Sequence, residues 1–328
     1  MKAVILVGGL GTRMRPLTNH VPKPMMPIAN VPSIERMVRW LAQHDVDEVI
    51  LSMGYLPDAI EQHFHANPIE GVTVRYIVED HPLGTGGGIK NAATGVNETF
   101  LALNGDVLTD LDVTAAVKLH RERRACVTMA LAPVKDPTQY GVVETDRNGN
   151  IDRFTEKPQP HEVRSNLINA GLYVLEPAAL NRVNGGGECS MERQVFPSLL
   201  ARGASMLSYH LGGAYWMDIG TPAKYLAANF DVLDGCLRVH VNGLRRDGAL
   251  LGRNCAINRG ARIGARVVLG DNVTVDDNAM VCESVVWAGT TIGRSARVKG
   301  AVIGRGCVVK ANATIAPGAV FEDGTTIG

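Results

Sequence analysis

Up to about residue 234, short apolar runs alternate with segments whose apolar residues recur every three or four positions. Residues 2–7 open the series as a strand, and 49–53, 73–78, 100–103 and 126–132 continue it. Between them, residues 33–44 set Ile34, Met37, Val38 and Leu41 at helical spacing behind a serine cap, and 57–66 and 112–123 have the same character. Such alternation predicts an α/β domain with a Rossmann-like, mostly parallel sheet covered on both faces. Ligands bind in these sheets at the carboxyl ends of the strands, where the strand order reverses.

The pattern changes after Gly235. Leu251, Ile257, Ile263, Leu269, Val275 and Val281 stand six residues apart; the series slips by one at Val286, resumes at Ile292 and Val298, and slips again at Ile303. It ends through Val309, Ile315, Phe321 and Ile327, with glycine following the aliphatic residue at 251, 263, 269, 292, 303 and 327. Neither a helix nor a flat strand has a period of six. A prism of short strands does, because one aliphatic side chain per face points to its axis while small residues turn the corners. The pattern therefore predicts a C-terminal left-handed parallel β-helix of hexapeptide repeats, with about four turns at three hexapeptides per coil. The domains expected are 1–234, a linker over 235–250, and 251–328.

Composition narrows the function. The chain of 328 residues carries 33 basic and 33 acidic residues, and this balance argues against coating nucleic acid or an anionic membrane. No apolar run reaches bilayer length, and Ala3–Val7 is too short for a secretory leader. Six scattered cysteines without a Cys-x-x-Cys pair argue against a disulfide framework or zinc site and fit a reducing cytoplasm.

The first strand runs into Gly8-Gly9-Leu10-Gly11-Thr12-Arg13-Met14-Arg15-Pro16. Glycines allow backbone N–H groups close to phosphate oxygens, and Arg13 adds fixed positive charge. A dinucleotide fingerprint would need glycine where Met14 stands, and a Walker loop would need a Gly-Lys-Ser/Thr ending that is absent. In Val21-Pro22-Lys23-Pro24 two prolines restrict the backbone around a lysine suited to a polyphosphate. Asp106 follows an apolar strand at its carboxyl end, and Asp218 lies between Trp216 and Ile219. Two such hard oxygen ligands suit Mg²⁺ bridging phosphates, although either alone reads equally well as a turn or cap residue.

These segments, with Pro82-Leu83-Gly84-Thr85, Asn104-Gly105-Asp106, Tyr140-Gly141-Val142-Val143, Glu156-Lys157-Pro158, Asn169-Ala170-Gly171-Leu172-Tyr173 and Trp216-Met217-Asp218-Ile219-Gly220, resemble the sugar-1-phosphate nucleotidyltransferases, and among them the GDP-mannose pyrophosphorylase (mannose-1-phosphate guanylyltransferase) branch. The resemblance spans essentially the whole chain. It implies a nucleotide site of Leu6, Gly8, Gly9, Gly11, Thr12, Arg13, Lys23, Glu79, Gly84 and Thr85, and a sugar-phosphate site of Gly141, Glu156, Lys157 and Asn169. It also implies Mg²⁺ on Asp106 and Asp218, and a catalytic set of Arg13, Lys23, Asp106, Lys157 and Asp218. The implied substrates are a nucleoside triphosphate and a sugar 1-phosphate, and the β-helix is expected to join subunits into a homo-oligomer. Glu79 suits guanine, since a carboxylate accepts from both N1–H and the exocyclic amine, whereas uracil or thymine would offer it carbonyl oxygens; Asp80 is a neighbouring rival for that role.

Thr85-Gly86-Gly87-Gly88 departs from the Thr-Ala-Gly of many relatives, and the Gly-Thr-Gly-Gly spelling resembles heptose 1-phosphate guanylyltransferases, which keeps a heptose phosphate open as the acceptor. Uridylyl, thymidylyl or adenylyl transfer to glucose 1-phosphate is the other enzymatic alternative. A non-catalytic sugar-nucleotide-binding subunit is disfavoured because the five charged residues are retained together. Acyl transfer, common among hexapeptide helices, generally uses a histidine base, and no histidine follows His240.

Overall fold

The computed structural model describes residues 1–181, 183 and 187–328. The chain forms two discontinuous compact units: Met1–Gly9 with Met37–Trp216, and Leu10–Arg36 with Met217–Gly328.

In the first unit nine strands form one sheet. Its parallel half has the spatial order Phe100–Asn104, Lys2–Leu6, Glu48–Met53, Thr73–Val78, with Ala3 opposite Val49 on one side and Leu101 on the other. The chain steps outward from Lys2–Leu6 through two strands, then returns on the opposite side at Phe100–Asn104. Strand order therefore reverses beside the first strand, and the crevice at the carboxyl ends of Lys2–Leu6 and Phe100–Asn104 is where an α/β sheet places its ligand. Ala3, Val4 and Ile5 are all fully buried, as expected of a strand covered on both faces. The predicted strands and helices lie within two residues of their expected bounds: α1 is Ser33–Ala42, α2 is Pro57–Ala66, and α4 is Val113–Arg123, capped by Asp112 accepting from the Ala115 N–H. The intervening α3 (Gly84–Ala92) is the helix that the pattern did not announce, because its first turn is glycine-rich.

The other half of the sheet is mainly antiparallel. Leu167–Leu175 pairs antiparallel with Phe100–Asn104, Val127–Pro133 and Gly141–Thr145, and Gly141–Thr145 pairs with Ile151–Glu156. Beneath it, Phe196 of α5 (Phe196–Leu200) packs its ring 5.1 Å from Tyr173 and 5.6 Å from Phe154.

In the second unit the six-residue period becomes three columns, consistent with the left-handed parallel β-helix expected. Leu251, Leu269, Val286, Ile303 and Phe321 are in parallel register on one face; Ile257, Val275, Ile292, Val309 and Ile327 on the next; Ile263, Val281, Val298 and Ile315 on the third. The two slips fall at the corner after the third face, where Glu283 and Gly300 take positive φ (48° and 60°) and the Ser284 hydroxyl donates to the Cys282 carbonyl at 2.7 Å while accepting from the Ala301 N–H at 3.1 Å. Other corners place Asn254, Asn272, Asn278 and Asn312 at positive φ, a conformation that asparagine tolerates better than most residues. Strand structure begins inside the expected linker, where Leu244–Arg246 pairs antiparallel with Ala249–Leu251. Helix α6 (Pro222–Leu233) precedes it, capped by Thr221.

Column position decides how much each aliphatic residue contributes. Ile292 is fully buried between neighbouring coils, whereas Ile257, in the first coil of the same column, is 38% exposed. Ile292→Ala is expected to lower unfolding free energy by about 2–5 kcal/mol and Ile257→Ala by much less. Equal losses in urea titrations of the two variants would refute the column assignment.

Candidate active site

The mouth of the parallel sheet is built from glycines that let backbone meet backbone. A Cβ on Gly8 would lie 3.2 Å from the Gly54 nitrogen, and one on Gly105 would lie 2.6 Å from the Leu6 carbonyl oxygen. The Gly105 N–H donates to that same oxygen at 2.9 Å. This contact brings half-buried Asp106 out of its strand beside the Leu6–Gly9 segment. Next to it, Gly171 at φ 73° leaves room for the Asn104 amide, which a Cβ would approach to 2.7 Å.

Glu79 is less free than its sequence position implies. One carboxylate oxygen accepts from the Ser52 hydroxyl at 2.7 Å and the other from the Leu83 N–H at 3.1 Å. Each oxygen retains a second lone pair, so Glu79 both fixes the 79–83 loop and keeps acceptor capacity; Asp80 is exposed. Gly84 and Thr85 open α3 against the 189–192 segment. The Cys189 carbonyl accepts from the Gly86 and Gly87 N–H groups at 2.8 and 3.2 Å, and the Thr85 hydroxyl donates to Glu192 at 2.7 Å while accepting from the Met191 N–H at 2.8 Å. These partners explain the glycine run: a Cβ on Gly84 would stand 2.6 Å from the Cys189 oxygen, and one on Gly88 2.7 Å from a Glu79 oxygen.

Gly141 and Glu156 face each other across adjacent strands, and a Cβ on Gly141 would strike the Phe154 ring at 2.4 Å. Lys157 follows in the left-handed region at φ 47°, exposed, its N–H donating to the Tyr140 carbonyl at 3.0 Å. A lysine held there is strained, and such strain concentrates at functional sites. Asn169 donates to the Tyr173 hydroxyl at 2.7 Å and accepts from the Gly171 N–H at 2.9 Å. The Trp216 indole, edge-on to Tyr140, donates to the Ala170 carbonyl at 2.9 Å.

The remaining expected residues belong to the second unit. Gly11 at φ 60° packs where a Cβ would meet Thr18 at 3.1 Å and Lys23 at 3.2 Å, while the Thr18 hydroxyl donates to the Gly11 carbonyl at 2.9 Å. Exposed Thr12 and Arg13 lie on the short helical turn that follows, and half-buried Lys23 begins another. Arg13 and Asp218 border the same glycine: a Cβ on Gly220 would lie 3.3 Å from the Arg13 guanidinium and 3.0 Å from an Asp218 oxygen. Asp218 also pairs with Lys224 of α6.

Residues 2–235 match the family model described as nucleotidyl transferase, and residues 246–328 match the GMPPB C-terminal domain. The chain belongs to the nucleotidyl transferase family. It is 38% identical to a mannose-1-phosphate guanylyltransferase of Mycobacterium tuberculosis, over 95% of this chain and 82% of that one. To a UTP–glucose-1-phosphate uridylyltransferase of Synechocystis it is 34% identical, over 96% and 90%. Among solved structures, HddC from Yersinia pseudotuberculosis complexed with GMP-PN superposes with a TM-score of 0.60 at 29% identity, covering 70% of this chain and 97% of that one.

Nucleotidyltransferases of this family generally need a divalent metal. Among the described residues no three or more His, Cys, Asp or Glu side chains gather to hold an ion alone. A magnesium-type ion is commonly held by one or two carboxylates, with phosphate and water oxygens completing its shell. No helix among the described residues is long and apolar enough to cross a membrane.

Two residues of this nucleotidyltransferase escaped the sequence reading. Lys224 reads as an ordinary first-turn lysine, and Glu192 as an acidic residue favourable near a helix start. Glu192 instead receives hydrogen bonds from Thr85 and Ser190, at 2.7 and 2.8 Å, and also bonds the buried Tyr173 hydroxyl. Burial, and then the Glu192 charge, push the Glu156 carboxyl up; Lys157 and Arg193 oppose this.

Two outcomes follow from these contacts. Gly88→Ala, which drives a methyl group against Glu79, Leu6 and Ser52, is expected to cost about 1–3 kcal/mol of stability by denaturant titration. Glu156, with its folded pKa raised, is ionised only above a higher pH than an ordinary glutamate. Glu192→Gln removes a raising charge, so the acid limb of the pH profile of kcat/KM for the sugar phosphate should move to lower pH; an unmoved limb would dissociate Glu156 from that profile.

Proposed function

We propose that the chain transfers GMP from GTP to mannose 1-phosphate, giving GDP-mannose and pyrophosphate. The observation that carries this reading is the set of relatives spanning nearly the whole chain and named as mannose-1-phosphate guanylyltransferases, from Mycobacterium tuberculosis, rice and Candida albicans, at 38, 32 and 34% identity. HddC with its bound guanine nucleotide analogue adds support for the base. Glucose 1-phosphate with UTP is the second reading, favoured by the Synechocystis relative.

The nucleophile is a phosphate oxygen of the sugar 1-phosphate, anionic at neutral pH, so no general base is required. It attacks the α-phosphorus of the nucleotide, and the bond to the β-phosphate oxygen breaks. The obstacle is repulsion between anions and charge build-up on the departing pyrophosphate, which fixed positive charge and positioning relieve. In this reading Arg13 and Lys23 bind the triphosphate, and the nucleotide also contacts Leu6, Gly8, Gly9, Gly11, Thr12, Gly84 and Thr85. Glu79 accepts from the guanine edge through its remaining lone pairs. Lys157 neutralises the incoming phosphate, while Glu156, Asn169 and the Gly141 backbone orient the sugar. Asp106 and Asp218 would hold Mg²⁺, which supplies charge neutralisation at the phosphates when bound. Lys224 shares Asp218 and keeps that carboxylate compensated. The β-helix serves homo-oligomer assembly, and the enzyme acts in the cytoplasm.

The deciding experiment measures magnesium-dependent pyrophosphate release with GTP, ATP, UTP, CTP and dTTP against mannose, glucose and heptose 1-phosphates. GTP with mannose 1-phosphate should give the highest kcat/KM; preference for UTP or dTTP would overturn the guanine assignment and retain the family. In the same assay Lys23→Ala and Asp106→Ala should each lower turnover by about a hundredfold or more. Near-normal turnover in both would remove these residues from the catalytic set.

A further inference from the structure

The segment that carries Arg13 and Lys23 lies in the same compact unit as the β-helix, and buried polar contacts that phosphate chemistry does not require tie it there. Shortly after Lys23 the chain forms a hairpin, Pro27–Ile28 paired with Val31–Pro32. Its two-residue turn, Ala29-Asn30, has φ 45° and 64°. Positive φ at both turn positions is normally met by Asn-Gly or Gly-Gly, and alanine adopts it at a cost. The surroundings hold it in place. Fully buried Asn229 of α6 accepts from the Ala29 N–H at 2.8 Å and donates to the Tyr225 carbonyl at 2.9 Å. The Tyr225 hydroxyl, also fully buried, donates to the Pro27 carbonyl and accepts from the Trp287 indole N–H at 2.9 Å.

Further contacts come from other coils and from the segment that precedes them. Asn30 donates to the Leu269 carbonyl at 2.8 Å and to that of Asn242 at 3.1 Å. Arg36 fans across the carbonyls of Ile28, Ala29 and His240. Asn19 donates to Glu322, in the last coil, at 2.8 Å. The hairpin is thus gripped at its tip, its flank and its base by one helix and the coil stack.

We propose that the β-helix, acting through Trp287, Tyr225 and Asn229 as positioning residues, sets the place of the triphosphate-binding loop and so forms part of the nucleotide-binding machinery. The proposal rests on the reading that Arg13 and Lys23 bind the triphosphate. Small misplacement of charged groups is costly in such a site; about 1 Å lowers a rate by a hundredfold. Tyr225 serves as a constant link, because burial raises its phenol and keeps it protonated as a donor at any working pH. Trp287 is itself covered by the Arg305 guanidinium, 5.7 Å from its ring centre.

The test uses full-length Tyr225→Phe and Trp287→Phe, with Asn30→Gly as a third variant that preserves the turn conformation should the first two fail to fold. Two quantities are read: the KM values for nucleoside triphosphate and sugar 1-phosphate, and amide hydrogen exchange without nucleotide. The expected result is at least a fivefold rise in the nucleotide KM, a sugar-phosphate KM within twofold of the parent, and faster exchange at residues 28–31 with unchanged exchange in Lys2–Leu6. Unaltered hairpin exchange overturns the proposal, as does an equal rise in both KM values with faster exchange throughout, the mark of a merely structural role. Lys23→Ala, assayed alongside, separates the two readings. If it leaves both turnover and the nucleotide KM unchanged, the loop does not bind triphosphate and the proposed link to nucleotide binding falls with it, whatever the hairpin exchange shows.

Discussion

Backbone proximity at the mouth of the parallel sheet is the constraint on which the arrangement of the first unit depends. Gly8 against Gly54, and Gly105 against Leu6, are approaches at which a single methyl group would stand in van der Waals overlap or close to it. Because these positions lack side chains, the segments leaving neighbouring strands run side by side, and Asp106 emerges next to the glycines that follow the first strand. The same principle recurs outward: Gly88 yields to Glu79, Gly141 to Phe154, and Gly171 to Asn104. Each omitted Cβ marks a place where neighbouring backbone or a neighbouring side chain occupies the volume.

Three carboxylates come with partners already in place. Glu79 is held by Ser52 and the Leu83 N–H, Glu192 by Thr85 and Ser190, Asp218 by Lys224. Glu156 is the contrasting case, half-buried and facing the charge of Glu192. Such a group destabilises the resting protein and gains when a ligand's hydroxyls donate to it, the usual trade between stability and function at a binding site.

How much of this was legible in the sequence depended on whether a residue's environment is periodic. The β-helix columns follow from a six-residue count because each coil repeats the last. Even the two slips at Val286 and Ile303 mark real corners, shortened by one residue each. The parallel half of the sheet was similarly legible from its uninterrupted apolar runs. Its antiparallel half was not, since the pairing of Leu167–Leu175 with three other strands is set by distant partners and leaves no local spacing. Motif spelling pointed to Asp106, Lys157 and Asp218, yet gave no sign of Glu192, Lys224 or the Cys189 carbonyl. These act through contacts that no local spacing announces, and a lone glutamate or lysine in a first helical turn has an ordinary explanation. Thr85 and Gly84 show the converse: their motif was visible, but their hydrogen-bonding partners were not.

Repeat arrays lengthen and shorten in evolution by whole coils, since each coil presents the same surface to the next. The indole of Trp287 limits that freedom here. Removing one coil between Leu269 and Trp287 would carry the ring about 4.8 Å along the prism axis, out of reach of Tyr225. Coil number is therefore locked from the start of the prism up to Trp287, whereas in the last coil the tie to the hairpin's segment is the exposed side-chain contact of Glu322 with Asn19 and His20. Variation in length within this lineage should accumulate toward the far end of the prism.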